Sequence, residues 1–122
     1  MSGDRHEDEQ ARASERARRI GVNEAVFREV NERLEELAKT FGSEGQDLDL
    51  ICECGNADCV ERLRMSRDAY AAVRADAQLF VIVPGHEISD VEQVMEETPA
   101  YHVIKKRAGE PARVAEATDP RG

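Results

Sequence analysis

The middle of the chain reads Leu48-Asp49-Leu50-Ile51-Cys52-Glu53-Cys54-Gly55-Asn56-Ala57-Asp58-Cys59. Its first half, Leu48 to Glu53, predicts a short strand. Its second half contains Gly55, Asn56 and Asp58, which are turn formers that accept unusual backbone angles. We therefore predict that the chain folds back after the strand and brings its thiols together.

The three cysteines in this stretch are the only ones in the chain, and their spacing is C-x-C-x4-C. Met1 to Arg19 lacks the apolar core of a secretory signal, so we expect a cytoplasmic protein with reduced thiols. In that compartment, clustered cysteines indicate a metal or redox site more than a disulfide. Structural zinc takes four Cys or His ligands, so Cys52, Cys54 and Cys59 leave it one ligand short. The sequence predicts one zinc ion per chain, with a fourth ligand from elsewhere.

The fourth ligand has three histidine candidates, which are His6, His86 and His102. His6 falls in a segment that we predict to be disordered, and alternation along a strand places His102 on the solvent face. His86 follows a predicted buried strand and comes directly after a rigid Pro-Gly turn. We therefore predict His86 as the fourth ligand. A carboxylate such as Asp58, or water, is the alternative.

Other segments have clear secondary-structure signals. A helix is predicted from Ser66, a good N-cap, to about Ala75. Leu79 to Val83 is a continuous apolar run that a Pro-Gly pair closes, so we expect a central buried strand there. Glu92 to Glu97 and Tyr101 to Lys106 are predicted to form a hairpin, with a short helix from Val91 to Glu97 as the alternative.

The clearest helix signal lies between Asn23 and Thr40. Asn23 is a good N-cap, and Gly42 is a good stop. The apolar residues trace one helical stripe, formed by Val22, Val26, Phe27, Val30, Leu34, Leu37 and Phe41. We predict that this stripe packs on the core, with a partner-binding helix as the alternative.

These elements predict an α+β domain with an N-terminal amphipathic helix, a small and mainly antiparallel sheet and a turn stapled by zinc. Residues 1–19 are charged throughout and residues 108–122 hold few large apolar side chains, so both ends are predicted to be disordered or flexible. Residues 20–107 then form a single metal-binding domain, which is small enough to benefit from a metal staple.

The chain is acidic, with 17 Lys and Arg against 26 Asp and Glu in 122 residues, a net charge of −9. This balance disfavours a nucleic-acid partner, because phosphates would be repelled on average. Local basic patches lie at Arg12 to Arg19 and at Lys105 to Arg107. They are more typical of charged side chains in contact with water than of a nucleic-acid site. No window of 18 apolar residues exists, so we expect no membrane span.

One known cysteine pattern is similar to this one over eight residues, and a second shares its ligand types but not its spacing. The post-SET zinc motif of lysine methyltransferases uses three clustered cysteines and a distant fourth ligand, and that resemblance implies the metal geometry alone. The CDGSH iron–sulfur family also uses three cysteines and one histidine. It has a longer gap before the third cysteine, and here Cys59 is followed by Val-Glu-Arg-Leu. An iron–sulfur cluster is therefore the less favoured cofactor.

Over most of residues 23–106, the chain resembles a family of small actinobacterial proteins without an assigned activity. The resembling segments are Asn23 to Arg33, Cys52 to Cys59, Tyr70 to Arg74, Pro84 to Glu87 and Tyr101 to Lys105. The resemblance implies a common ancestor with that family, and it implies nothing about a mechanism.

Three functions fit the predicted site. A closed zinc site indicates a structural role in a binding or regulatory module with a protein partner. A thiol-based redox or metal sensor is the first alternative, because oxidation of Cys54 and Cys59 would eject the zinc. The second is a zinc-dependent enzyme with an open three-thiolate site, in which Glu87 would be a general base. Motifs for nucleophile elbows, phosphate loops and dinucleotides are absent, so we favour a protein without catalysis.

Overall fold

The computed structural model describes residues 2–40 and 47–121, and the side chains from residue 7 onward within them. The order of elements is α1 (Ser2–Thr40), β1 (Asp47–Ile51), β2 (Arg62–Ser66), α2 (Arg67–Arg74), β3 (Leu79–Ile82), β4 (Glu92–Glu97), β5 (His102–Lys106) and α3 (Glu110–Ala117). The predicted α+β class is confirmed. None of these helices is both long enough and apolar enough to cross a membrane.

The strands form two antiparallel sheets where the sequence predicts one. In the first, β1 pairs with β2, and Leu50 lies opposite Leu63. In the second, the order is β3-β5-β4, and Val81 lies opposite Val103. The backbone N–H of Glu53 donates to the carbonyl of Val81 over 2.9 Å and so links the two sheets.

Most of the predicted strands are confirmed, with two corrections. The hairpin of β4 and β5 forms as predicted, and the helical alternative for Val91–Glu97 is wrong. The sequence does not predict β2, because its alternation of Arg and apolar residues is only five residues long. The sequence predicts β3 at the centre of its sheet, but β5 is central and β3 lies at the edge. Strand β3 is still buried, because other elements cover it.

Helix α2 begins where the sequence predicts. The hydroxyl of Ser66 accepts a hydrogen bond from the backbone N–H of Ala69 over 3.1 Å, which is an N-cap. The helix buries Tyr70 and Val73 against β1, β2 and the neighbouring strands. This packing places Tyr70 directly behind the cysteine stretch.

Helix α1 differs from the prediction in both its start and its orientation. It begins at Ser2, so Asn23 lies inside the helix and not at its N-cap. The face against the body is largely polar and includes Glu24, Arg28 and Asn31, whereas the predicted core stripe is largely exposed at Val22, Val26, Val30 and Leu37. The predicted end at Gly42 lies outside the described residues.

The buried polar face of α1 is stable because its groups have partners. Arg28 donates to the carbonyl oxygens of Ala77 over 2.6 Å and of Ala115 over 2.8 Å. Its guanidinium carbon also lies 4.4 Å from the centre of the Phe80 ring, within the range of a cation–π contact. A buried arginine with such partners replaces the apolar contact that the sequence pattern predicts.

The chain after Lys106 is helical where the sequence predicts a flexible segment. Pro111 lies in the first turn of α3, and Ala112 and Ala115 are buried. The correction has a physical reason, since Arg28 and Arg74 are buried and take their oxygen partners from Ala115 and Asp119. The division of the chain into one domain and two tails remains a prediction.

Candidate metal centre

Three segments bring the predicted ligands together. Cys52 comes directly after β1, Cys59 ends the turn that precedes β2, and His86 lies four residues after β3. The sulfur atoms of Cys52, Cys54 and Cys59 and a ring nitrogen of His86 all lie within 4.8 Å of one another. Both Cys52 and Cys54 are buried within the apolar cluster around Phe80, and Cys59 is partly exposed.

The spacing of these atoms suits a tetrahedral zinc ion. With Zn–S of about 2.3 Å and Zn–N of about 2.0–2.1 Å, a sulfur and a nitrogen ligand lie about 3.5 Å apart. Nδ1 of His86 lies 3.5 Å from Sγ of Cys52 and 3.7 Å from Sγ of Cys59. The donor set of three thiols and one imidazole is also one that structural zinc prefers. The residues present therefore fit one such ion.

Local hydrogen bonds shape the cysteine turn. The side-chain oxygen of Asn56 accepts from the backbone N–H of Asp58 over 3.0 Å, and its carbonyl accepts from the N–H of Cys59 over 3.0 Å. The N–H of Cys52 donates to the carbonyl of Glu61 over 3.0 Å. The chain thus returns alongside itself, as the turn formers in the sequence predict.

The second turn positions His86. Gly85 has a φ of +90°, in the left-handed region that favours glycine. The backbone N–H of His86 donates to the carbonyl of Val83 over 3.0 Å, and the N–H of Val83 donates to Sγ of Cys52 over 3.2 Å. The end of β3 is therefore tied directly to the first cysteine.

His86 has a carboxylate partner on its other side. Nε2 of its ring lies 2.7 Å from Oε2 of Glu61, while Nδ1 faces the sulfur atoms. A ligand histidine commonly donates its remaining N–H to such a carboxylate. The sequence does not predict this contact, because a glutamate two residues after a cysteine carries no recognisable signal.

Behind the cysteines lies Glu53, which is fully buried. Its Oε2 accepts from Nδ2 of Asn31 over 2.8 Å and from the hydroxyl of Tyr70 over 2.9 Å, and its Oε1 accepts from the N–H of Val81 over 3.1 Å. Burial nevertheless raises the pKa of Glu53, since these bonds offset the desolvation only in part. This carboxylate anchors the backbone between two proposed ligands.

Helix α1 holds the same stretch from the other side. The side chain of Asn31 donates to the carbonyl of Ile51 over 2.8 Å and accepts from the N–H of Ile51 over 2.9 Å. The side chain of Asn23 donates to the carbonyl of Gly55 over 3.0 Å. Gly55 is packed so closely that a Cβ there would lie 2.4 Å from a methyl carbon of Ile20. The site is therefore built against α1.

The three thiols shift one another's pKa values. A hydrogen bond with Cys52 lowers the pKa of the Cys54 thiol to about 5. The same bond, followed by burial, raises the pKa of Cys52, and burial raises the pKa of Cys59. Three neighbouring thiolates repel one another unless a cation lies between them.

The remaining candidates lie apart from this cluster. The side chain of His102 is 15% exposed, so its predicted place in solvent is wrong. Its Nδ1 lies 3.7 Å from the carboxylate of Glu87, which therefore faces His102. Asp58 is exposed on the turn, and the side chain of His6 is outside the described part. Among the described residues, Cys52, Cys54, Cys59 and His86 alone form a potential metal-binding group.

Comparison of the chain with family models, with curated proteins and with solved structures finds no match. The resemblance to the actinobacterial family stays a prediction.

Proposed function

We propose that this chain is a small zinc-binding protein in which Cys52, Cys54, Cys59 and His86 hold one zinc ion in a closed structural site. The observation that carries the proposal is the convergence of all four ligand atoms to within 4.8 Å of one another. Two further features support it, namely the sulfur-to-nitrogen distances of 3.5 and 3.7 Å and the carboxylate partner of His86. Such a group of atoms suits a single ion better than a cluster whose ligands are divided between two irons.

The proposed role of the ion is structural. Four protein ligands leave no open position for a substrate or a water molecule. The ion would join the end of β1, the turn before β2 and the segment after β3, so it would connect the two sheets. Glu87, which would be the general base of an enzyme, faces His102. We infer a cytoplasmic binding or regulatory module in which zinc fixes the surface that a protein partner recognises.

A thiol-based sensor is the second candidate, and the exposure of Cys59 favours it. Cys52 and Cys54 are buried, whereas Cys59 is partly accessible. An oxidant would therefore reach Cys59 first, and loss of this ligand would open the site.

Metal content tests the proposal. The protein is purified without added metal and analysed by elemental analysis and native mass spectrometry, and we expect one zinc per chain. Cys59→Ser should lose the zinc and melt at a lower temperature, because zinc binding is coupled to folding. Asp58→Asn is the matched control, since it changes an exposed neighbour on the same turn and should keep the zinc. A Cys59→Ser variant with full zinc content would contradict the proposed site.

A further inference from the structure

The outer face of α1 carries an exposed apolar stripe. Val22, Val26, Val30 and Leu37 are 39%, 56%, 40% and 54% exposed, although each is a large apolar residue. At 3.6 residues per turn they lie on the side of the helix opposite the buried Glu24, Arg28 and Asn31. An exposed apolar stripe on a long helix is typical of a surface that packs against another helix.

The charges along this face follow a regular pattern. Steps of three and four residues, the spacing of a coiled-coil seam, connect a set of exposed residues. The set is Arg12, Glu15, Arg19, Val22, Val26, Glu29, Arg33 and Glu36. If a second copy of this set is placed beside the first in the reverse direction, every charged residue faces a residue of the opposite charge. The seam is therefore complementary to a reversed copy of itself.

From this pattern, we propose that α1 is a dimerisation surface on which a second copy of the chain docks antiparallel, with Val22 of each copy against Val26 of the other. In this register, three kinds of opposite-charge pair form. They are Arg19 with Glu29, Glu15 with Arg33 and Arg12 with Glu36. Each pair occurs twice in the dimer because of the two-fold symmetry.

Other arrangements of two copies are less favourable. A parallel pair in register sets each charged position against the same charge on the other copy. An antiparallel pair centred on Val26 sets Arg19 against Arg33, so two positive charges meet. Opposite charges thus select both the direction and the register.

Two ion pairs within the chain already use some of these groups. Arg18 lies 2.8 Å from Glu15, and Arg33 lies 3.4 Å from Glu29. Their side chains are about half exposed or more. Such surface pairs contribute little and exchange readily, so they do not prevent contacts with a second helix. Because the seam has few apolar residues, we expect a weak and concentration-dependent dimer.

Charge reversal in the 122-residue chain tests the proposal. The dissociation constant is measured by sedimentation equilibrium up to about 1 mM chain, the weak end of specific association. Arg19→Glu should weaken the dimer by about tenfold or more, because two attractive contacts become repulsive. Glu29→Arg should have the same effect. The double variant Arg19→Glu/Glu29→Arg should restore the dimer to within about threefold of the wild type.

Two further variants separate this surface from general effects of charge. Val26→Glu should abolish the dimer, since it places a carboxylate at the centre of the seam. Met95→Glu is the matched control, because Met95 is also a half-exposed apolar residue but lies on β4. It should leave the dimer unchanged. Circular dichroism checks that each variant keeps its helix content, which we expect since both Arg19 and Val26 are exposed.

The proposal is overturned by any of three results. One is a wild-type chain that stays monomeric at every concentration, which would also be the result if a different protein occupied the stripe. The second is an unchanged dissociation constant for Arg19→Glu, which would indicate a parallel pair or another surface. The third is a double variant that stays as weak as the single ones.

Discussion

Oε2 of Glu61 lies 2.7 Å from Nε2 of His86, on the side of the ring that faces away from the three cysteines. In the tautomer that carries its proton on Nε2, the ring donates to Glu61, and the lone pair of Nδ1 is directed at the sulfur atoms. Glu61 is therefore expected to act on the metal through the histidine.

The first prediction concerns this carboxylate. Glu61→Ala should weaken zinc binding by about 10–100-fold, since partners of ligand histidines typically contribute that much. Competition with a chromogenic chelator measures the affinity. Glu87→Ala is the control, because Glu87 is adjacent to His86 but its carboxylate faces His102. Equal zinc affinities in the two variants would show that the contact with Glu61 has no influence on the site.

The second prediction compares two histidines. His86→Ala should weaken zinc binding far more than His102→Ala, because Nδ1 of His86 lies 3.5 Å from Sγ of Cys52, whereas His102 faces Glu87. The same chelator assay measures both. His102→Ala should lower the melting temperature slightly, since its side chain is mostly buried. If His102→Ala removed the zinc and His86→Ala retained it, the assignment of the fourth ligand would be wrong.

Much of the candidate site could be predicted from local sequence. The cysteine spacing and the turn residues between Cys54 and Cys59 are contiguous, and His86 follows a recognisable strand and turn. The supporting residues could not be predicted in this way. Glu53 lies between two cysteines in a strand-like stretch, and its burial depends on Asn31 and Tyr70, which are distant along the chain.

The third prediction concerns a buried charge cluster beneath α1. Nζ of Lys106 lies 2.6 Å from Oε1 of Glu24 and 3.0 Å from Oε2 of Glu92, and all three side chains are fully or almost fully buried. Lys106→Met should lower the free energy of unfolding by about 3–5 kcal/mol, because it leaves the buried carboxyl groups of Glu24 and Glu92 without their cation. Urea denaturation measures the change. Lys105→Met is the control, since Lys105 is half-exposed.

The fourth prediction is a pH dependence in the same cluster. Burial, and then the charge of Glu92, raise the pKa of Glu24 well above its usual value of 4.5. The folded state therefore binds a proton that the unfolded state releases, so this group costs stability as the pH rises above 4.5. Glu24→Gln removes that cost. Its free energy of unfolding relative to wild type should increase between pH 5 and pH 8. A difference that is constant with pH would contradict the shift.

The fifth prediction concerns α3. Truncation after Arg107 should lower the free energy of unfolding by about 3 kcal/mol or more, because the buried Arg28 and Arg74 lose their partners on Ala115 and Asp119. Thermal melting measures the loss. Glu116→Ala, an exposed change on α3, should have little effect. An unchanged melting temperature after truncation would support the flexible tail that the sequence predicts.

The fold could be predicted where a local apolar pattern determines an element. It could be predicted less well where buried polar residues determine how an element packs. Strands β3, β4 and β5 and the N-cap Ser66 follow from local patterns. The orientation of α1 does not, because its buried face contains Glu24, Arg28 and Asn31, residue types that usually face water. Their burial depends on partners such as Lys106, which lies 82 residues after Glu24 in the sequence.

The hydrogen bonds from Asn31 and Tyr70 to Glu53 constrain how these three positions can change during evolution. A mutation at any one of these three positions leaves a buried polar group at another of them without its hydrogen-bond partner. That loss lowers the stability of the fold. In sequences that share an ancestor with this chain, the three positions should therefore change together or not at all. Such a trio of covarying positions would identify true relatives better than the cysteine spacing, because unrelated zinc turns can acquire the spacing by convergence.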